Sequence, residues 1–164
     1  MEIVNFKLQS DFAEEAQKAF KEERGKLLKI LPKADIQHIG STAIPNAMTR
    51  NDLDIQIRVE KTDFQGAVKK VKKLYKINQP DNWTENYASF KDNERNMSID
   101  IQLTIIGSEY DKLFQEQQKL LATNPEVLKR YNELKLSFNG KSMYKYIAER
   151  ARFFEELKRE ELLH

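Results

Sequence analysis

The chain has 164 residues, enough for one domain or a domain with a helical appendage, and long enough to bury a real core. Hydrophobic residues make up 40% and charged residues 33%, and 28 basic against 26 acidic side chains leave a formal charge of +2, a balance that does not mark a nucleic-acid binder. Cysteine is absent, no apolar run nears the ~20 residues that span a bilayer, and Met1 to Lys7 lacks the plan of a signal peptide; disulfides, thiolate metal sites and membrane partners are excluded, and a cytoplasmic location is expected.

In chain order, residues 11–31 read as a helix. Asp11 is placed to cap it, Phe12, Ala16, Phe20, Leu27, Leu28 and Leu31 give a broken apolar stripe, and Pro32 ends it. A short strand at 36–40 runs into a turn. Residues 42–51 read as loop with one helical turn, marked by Pro45 and Asn46. The run 52–59 alternates acid or polar with apolar residues and reads as a strand. A helix is expected from Thr62 or Asp63 to about Tyr75, burying Phe64, Ala67, Val68, Val71 and Leu74.

Residues 76–84 read as loop. Strands at 87–91 and 97–105 flank a polar turn and suit a hairpin. From Ser108 the pattern turns helical: about 109–122, 125–138 and 141–160. Asn124 caps the second of these with Pro125 at its first position, and Asn139-Gly140 closes it. The expected fold is α+β over residues 1–106, with a C-terminal helical segment over 107–164.

The chemistry concentrates around His38-Ile-Gly-Ser-Thr42 and Asp52-Leu-Asp54. Side chains at i and i+2 of a strand share a face, so Asp52 and Asp54 sit side by side. Two like charges so close are costly unless a cation joins them, and hard oxygen donors suit Mg²⁺ or Mn²⁺. Gly40, Ser41 and Thr42 can offer backbone N–H groups and hydroxyls to a phosphate. Asp100 alternates with apolar residues on its own strand; if that strand lies beside 52–59, it joins the pair and can take a proton from an attacking hydroxyl.

Other readings of the same residues stay open. Alternating acids also suit the solvent face of an amphipathic strand. Ser41 and Thr42 suit a polar turn or a cap. His38 can orient the loop, contact a phosphate or sit satisfied in the core. Arg50 can neutralise a phosphate or pair with Asp52, and Arg58 shares the parity of the two acids and can pair with one of them. Lys91 and Arg95 read as exposed charges beside the hairpin, and Trp83 as an anchor or a stacking platform. Lys135, Lys141, Tyr144, Lys145, Tyr146, Arg150 and Arg152 read mostly as a solvated helix face. Tyr146 and Arg150, an i, i+4 pair, are the first choice there for a ligand contact.

The Gly40-Ser41 turn, the spacer, Asp52-Leu-Asp54 and the later Asp100 resemble the DNA polymerase β-type nucleotidyltransferase superfamily. The fuller string His38-Ile-Gly-Ser-Thr-Ala-Ile-Pro45 with Arg50, and Asn124-Pro-Glu, Tyr131-Asn-Glu-Leu-Lys135, Tyr146, Arg150 and Phe153 in the tail, resemble the GrpB family over about residues 10–160. The resemblance implies a mixed sheet with helices on one side, a turn that holds the phosphates of a nucleoside triphosphate, paired acids that bind metal, and a third acid opposite. Asp52 and Asp100-Ile-Gln102 depart from many relatives, which carry an apolar residue and a His-x-His pair there. The implied function is nucleotidyl transfer to an unknown acceptor; the alternative is a non-catalytic module that binds a nucleotide or another phosphorylated small molecule.

Overall fold

The computed structural model describes all residues, 1–164. Five helices, α1 (Ala13–Ile30), α2 (Phe64–Val71), α3 (Glu109–Thr123), α4 (Pro125–Ser137) and α5 (Met143–Arg159), accompany nine strands. β3 (Asp35–Ile39), β5 (Asp52–Val59), β6 (Lys76–Ile77), β7 (Tyr87–Asp92) and β8 (Ser98–Ile105) form one mixed sheet in the order β3-β5-β8-β7-β6. β5 and β8 run parallel, and every other neighbouring pair is antiparallel. The hairpin expected from residues 87–105 is β7–β8.

The period of two in β5 and β8 sorts the sheet's faces. Leu53, Ile55, Ile57 and Val59, with Ile99, Ile101, Leu103 and Ile105, pack under α1 and α2 against Ala16, Leu27, Phe64, Ala67 and Val71 in the main core. The opposite face carries Asp52, Asp54, Gln56 and Arg58 beside Ser98, Asp100, Gln102 and Thr104. Over it lie the C-terminal helices. Leu121, Val127, Leu128, Tyr131, Phe153 and Leu157 form a second core that takes in Ile44 and Ala47 of the 40–51 loop.

A third cluster joins the ends of the chain. β1 (Ile3–Val4) pairs with β9 (Lys141–Ser142), and β2 (Lys7–Leu8) pairs with β4 (Met48–Thr49), so Val4 and Phe6 meet Met48, Met143 and Tyr146. Residues 141–142 are therefore strand, not the start of the last helix, and the 42–51 loop contains β4. Two-residue strands carry too little pattern to be seen in sequence.

Other expectations are corrected. Asp11 ends a 3-10 turn at Gln9–Asp11, and α1 starts behind Phe12 with no side-chain cap. α2 stops at Val71, leaving Leu74 44% exposed. The chain leaves the helix there so that Tyr75 can turn inward, where its hydroxyl donates to Glu23 (3.4 Å). Glu23 on α1 is fully buried and pairs with Lys26 (3.1 Å) and with Arg95. Arg95 is thus not an idle surface charge: it ties the β7–β8 turn to α1. Residues 76–84 contain β6 as well as loop, and Trp83 is an anchor, its Nε1–H donating to Asn78 O (2.9 Å) and its ring set against Phe90.

Candidate active site

β3 delivers the chain to Gly40, whose φ of +78° suits a residue without a Cβ. Space requires the same residue: a Cβ here would lie within 2.8 Å of Asp54 Cγ. The turn is thus pressed against the acidic strand, with Ile39 opposite Asp54 in the antiparallel pair. Ser41–Ala43 makes a 3-10 turn. Ser41 Oγ donates to Thr49 Oγ1 (2.8 Å), and Thr42 Oγ1 donates to the Asp52 carbonyl (3.0 Å). His38 Nε2 lies 2.9 Å from Thr42 Oγ1. Because the Thr42 proton goes to Asp52 O, His38 supplies the proton of this bond.

His38 is stacked on Phe20 and its pKa falls to about 4 through burial. Of the roles open to it, orienting the loop is the one its contacts serve. Thr42 and His38 bond within the turn and, like Asp100, are not among the cavity-lining residues. His38 Nε2 and Thr42 Oγ1 already have partners inside the fold.

The parallel register sets Asp54 directly beside Asp100, and Asp52 beside Ser98. Burial, then Asp100 and Asp52, push Asp54 up to about 8, against the pull of Arg50 and Arg150. Asp100 is also raised, by burial and by Asp52. Asp52 differs: Arg50 pairs with it at 2.9 Å. Arg58, on the same strand face, does not reach either acid. It bonds Asp111 (2.6 Å and 3.0 Å) and Asp35 (2.8 Å) instead, because two β-strand steps carry it away from Asp54 and under α3.

No three acidic or histidine side chains close into a ready-made metal cage. What the donor set offers is narrower. Asp54 and Asp100 are neighbouring hard carboxylates whose charge the fold leaves poorly compensated. That chemistry fits a divalent cation that completes its shell with water or ligand oxygens. Asp52, held by Arg50, is not a free third donor.

A cavity of about 530 Å³ opens at this point, within the range of small-molecule sites. Gly40, Ser41, Arg50, Asp52 and Asp54 line it from the sheet side, and Tyr131, Lys135, Tyr146 and Arg150 from the helices. Asp100 is beside Asp54 but not in the lining, where Gln102 represents its strand. Tyr146 is buried, its hydroxyl 3.4 Å from that of Tyr131. Arg150 stacks over the Tyr146 ring at 5.7 Å, within the field of Asp54. Its guanidinium carries five donors and is locked into no ion pair.

Lys135 contradicts the reading of a solvated face. It is 3% exposed, donates to Met48 O (2.8 Å) and lies 4.0 Å from the centre of the Tyr131 ring. Burial, then Arg150, lower its pKa to about 7. Tyr144, Lys145 and Arg152 do face solvent. Sequence reading also passed over a polar stripe on α3. Asp111, Gln115 and Gln118 fall at i, i+4 and i+7 and meet the outer face of the sheet. Asp111 takes Arg58, Gln56 and Gly107 N–H; Gln115 bonds Gln37 and Gln56; Gln118 accepts from Gly40 N–H (2.8 Å). Matching that spacing to the alternate residues 54, 56 and 58 was the available signal.

The family described as GrpB protein matches residues 10–160. A UPF0157 protein of Vibrio cholerae serotype O1 is 34% identical over 128 residues, which cover 78% of this chain and 68% of that one. The crystal structure of GrpB from Enterococcus faecalis superposes with a TM-score of 0.73 at 19% identity, over 90% of this chain and 92% of that one. Cid1 poly(U) polymerase with Mg 3'-dATP bound superposes with a TM-score of 0.54 at 16% identity. That match covers 79% of this chain and 41% of the Cid1 chain. These likenesses establish a nucleotidyltransferase-like α+β fold. No helix is long and apolar enough to cross a membrane.

Proposed function

The chain belongs to the GrpB family, and from that membership and the geometry of the site we propose that it is a metal-dependent nucleotidyltransferase. It would move a nucleotidyl group from a nucleoside triphosphate to an acceptor hydroxyl or phosphate. One observation carries the reading: the Gly40 turn packs against Asp54, Asp54 stands in register with Asp100, and Arg150 enters the same cavity without an ion-pair partner. Solved structures of Cid1 with Mg 3'-dATP and with MgGTP bound support a metal and a nucleotide as ligands of this fold.

In this reading Gly40-Ser41 and Arg150 hold phosphate oxygens, and Tyr146 fixes the plane of the Arg150 guanidinium. Asp54 and Asp100 would hold Mg²⁺ or Mn²⁺, and Asp52 reaches that set only when Arg50 exchanges it for a phosphate oxygen. Such an ion neutralises phosphate charge. The acceptor oxygen bonds to the α-phosphorus, the bond from that phosphorus to the departing pyrophosphate breaks, and Asp100 takes the acceptor's proton.

The test is pyrophosphate release from each common nucleoside triphosphate with Mn²⁺ and a pool of small hydroxyl acceptors. Release by the native protein is expected, falling about 100-fold or more in Asp54→Asn. The Arg50–Asp52 pair and the lack of a closed three-acid cage favour a second reading, a nucleotide- or phosphometabolite-binding module without turnover. Tight nucleotide binding with no pyrophosphate from any acceptor would select it.

A further inference from the structure

The Gly40 turn is not empty-handed. Its N–H, in the turn pressed against Asp54, already gives its proton to Gln118 Oε1 at 2.8 Å. The contact is returned, with Gln118 Nε2 donating to Gly40 O at 3.4 Å. Gln118 comes from α3, 78 residues away in sequence, and lines the same cavity as Arg50, Asp54 and Arg150. A carboxamide oxygen thus sits where an incoming ligand oxygen would sit.

We propose that Gln118 is a specificity-determining residue: its side chain occupies the Gly40 amide as a neutral substitute for a phosphate oxygen, and only a polyanionic ligand displaces it. This rests on the reading of the turn as a phosphate site. The selection follows from hydrogen-bond chemistry. An ionised oxygen accepts from a backbone N–H roughly twice as strongly as a neutral carbonyl. A nucleoside or a neutral sugar hydroxyl offers no gain over the carboxamide already in place. A di- or triphosphate offers the stronger bond and at the same time engages Arg150 across the cavity. Gln118 thereby raises the threshold for every ligand, and a polyphosphate that reaches both the turn and Arg150 overcomes it best.

The rest of the stripe keeps α3 in position when that bond opens. Asp111 and Gln115 fasten the helix to Arg58, Gln56 and Gln37, none of which belongs to the turn. Displacement therefore needs only a rotamer change at Gln118, not undocking of the helix.

The experiment is calorimetric titration of inorganic tripolyphosphate with Mn²⁺ into the native protein, Gln118→Met, Gln118→Glu and the control Gln115→Leu. Gln118→Met keeps length and helix propensity but offers the amide only a weak sulfur acceptor, and is expected to bind about 3- to 10-fold tighter. Gln118→Glu holds the amide with a carboxylate and is expected to bind at least about 10-fold more weakly. Gln115→Leu is expected to bind as the native protein does. Equal or weaker binding by Gln118→Met, or native affinity in Gln118→Glu, overturns the competitor role and leaves the function proposed above standing. No binding by the native protein or by Gln118→Met overturns the phosphate-site reading and the competitor role together. Should Gln118→Met fail to fold, Gln118→Glu alone decides.

Discussion

Gly40 shows how closely one residue is constrained by its neighbours. It needs a positive φ, and it needs to lack a Cβ because Asp54 stands against it. Gly40→Ala is expected to cost about 1–3 kcal/mol in a urea titration, from left-handed strain plus the clash. His38 gives a pH signature. Its folded pKa is about 4 against the ordinary 6.5, so between those values the unfolded chain binds more protons. The stability it contributes is present above pH ~6.5 and is lost as pH falls towards ~4. Chemical denaturation of the native protein and His38→Gln side by side should show the native protein gaining stability relative to the variant as pH rises from 4 to 7. Arg150→Met is expected to weaken nucleotide binding about 10- to 100-fold with little change in melting temperature, since no ion pair is broken.

Elements were legible where their patterns were long. β5 and β8 carry eight alternating residues each, and β5 was placed at its observed bounds while β8 fell within one residue of them. Asn124 caps α4 as its sequence implies, accepting from Val127 N–H (3.1 Å). The two-residue strands that join the N-terminal arm to β4 and β9 have no period to detect, and their pairing is set by tertiary contact. The same holds for Glu23, a polar position on a helix whose burial depends on Arg95, 72 positions further along the sequence. The docking of α3 depends on Asp111, 2% exposed and bonded to Arg58, Gln56 and Gly107. Removing it leaves Gly107 N–H and two of the Arg58 donors without an acceptor, although Arg58 keeps Asp35 and Gln56 keeps Thr104. Asp111→Ala is expected to destabilise the protein by about 3–5 kcal/mol, and a loss below about 1 kcal/mol in urea would show that α3 is held by its apolar contacts instead.

Across the molecule, the fold brings the β5 acids and the cations of α4 and α5 to one cavity, with Asp100 of β8 set beside Asp54, and the net charge of +2 hides that local concentration. The acids, the turn and the Tyr146–Arg150 pair were readable from spacing. Lys135, Tyr131 and Gln118 were not, because nothing in one helix tells which strand its polar face will meet. The cluster should leave a trace in stability. Asp54 titrates near 8 when folded, far above its ordinary 3.8, so the folded chain binds more protons between those values. Its effect is therefore a loss of stability as pH rises from ~4 to ~8. Lys135, lowered from 10.5 to about 7, acts in the opposite sense, giving a gain between ~7 and ~10.5. Without metal, Asp54→Asn should be more stable than the native protein at pH 8, with the gap closing towards pH 4.

The central claim is that the Gly40 turn and the Asp54–Asp100 pair act as one site for a metal-bound nucleotide. It is tested most directly by calorimetric titration of ATP and UTP, with and without Mn²⁺, into the native protein and into a folded Asp54→Asn/Asp100→Asn variant. Saturable binding to the native protein that requires Mn²⁺ and disappears in the double variant is expected. Equal affinity in the two proteins, or binding indifferent to Mn²⁺, would contradict it.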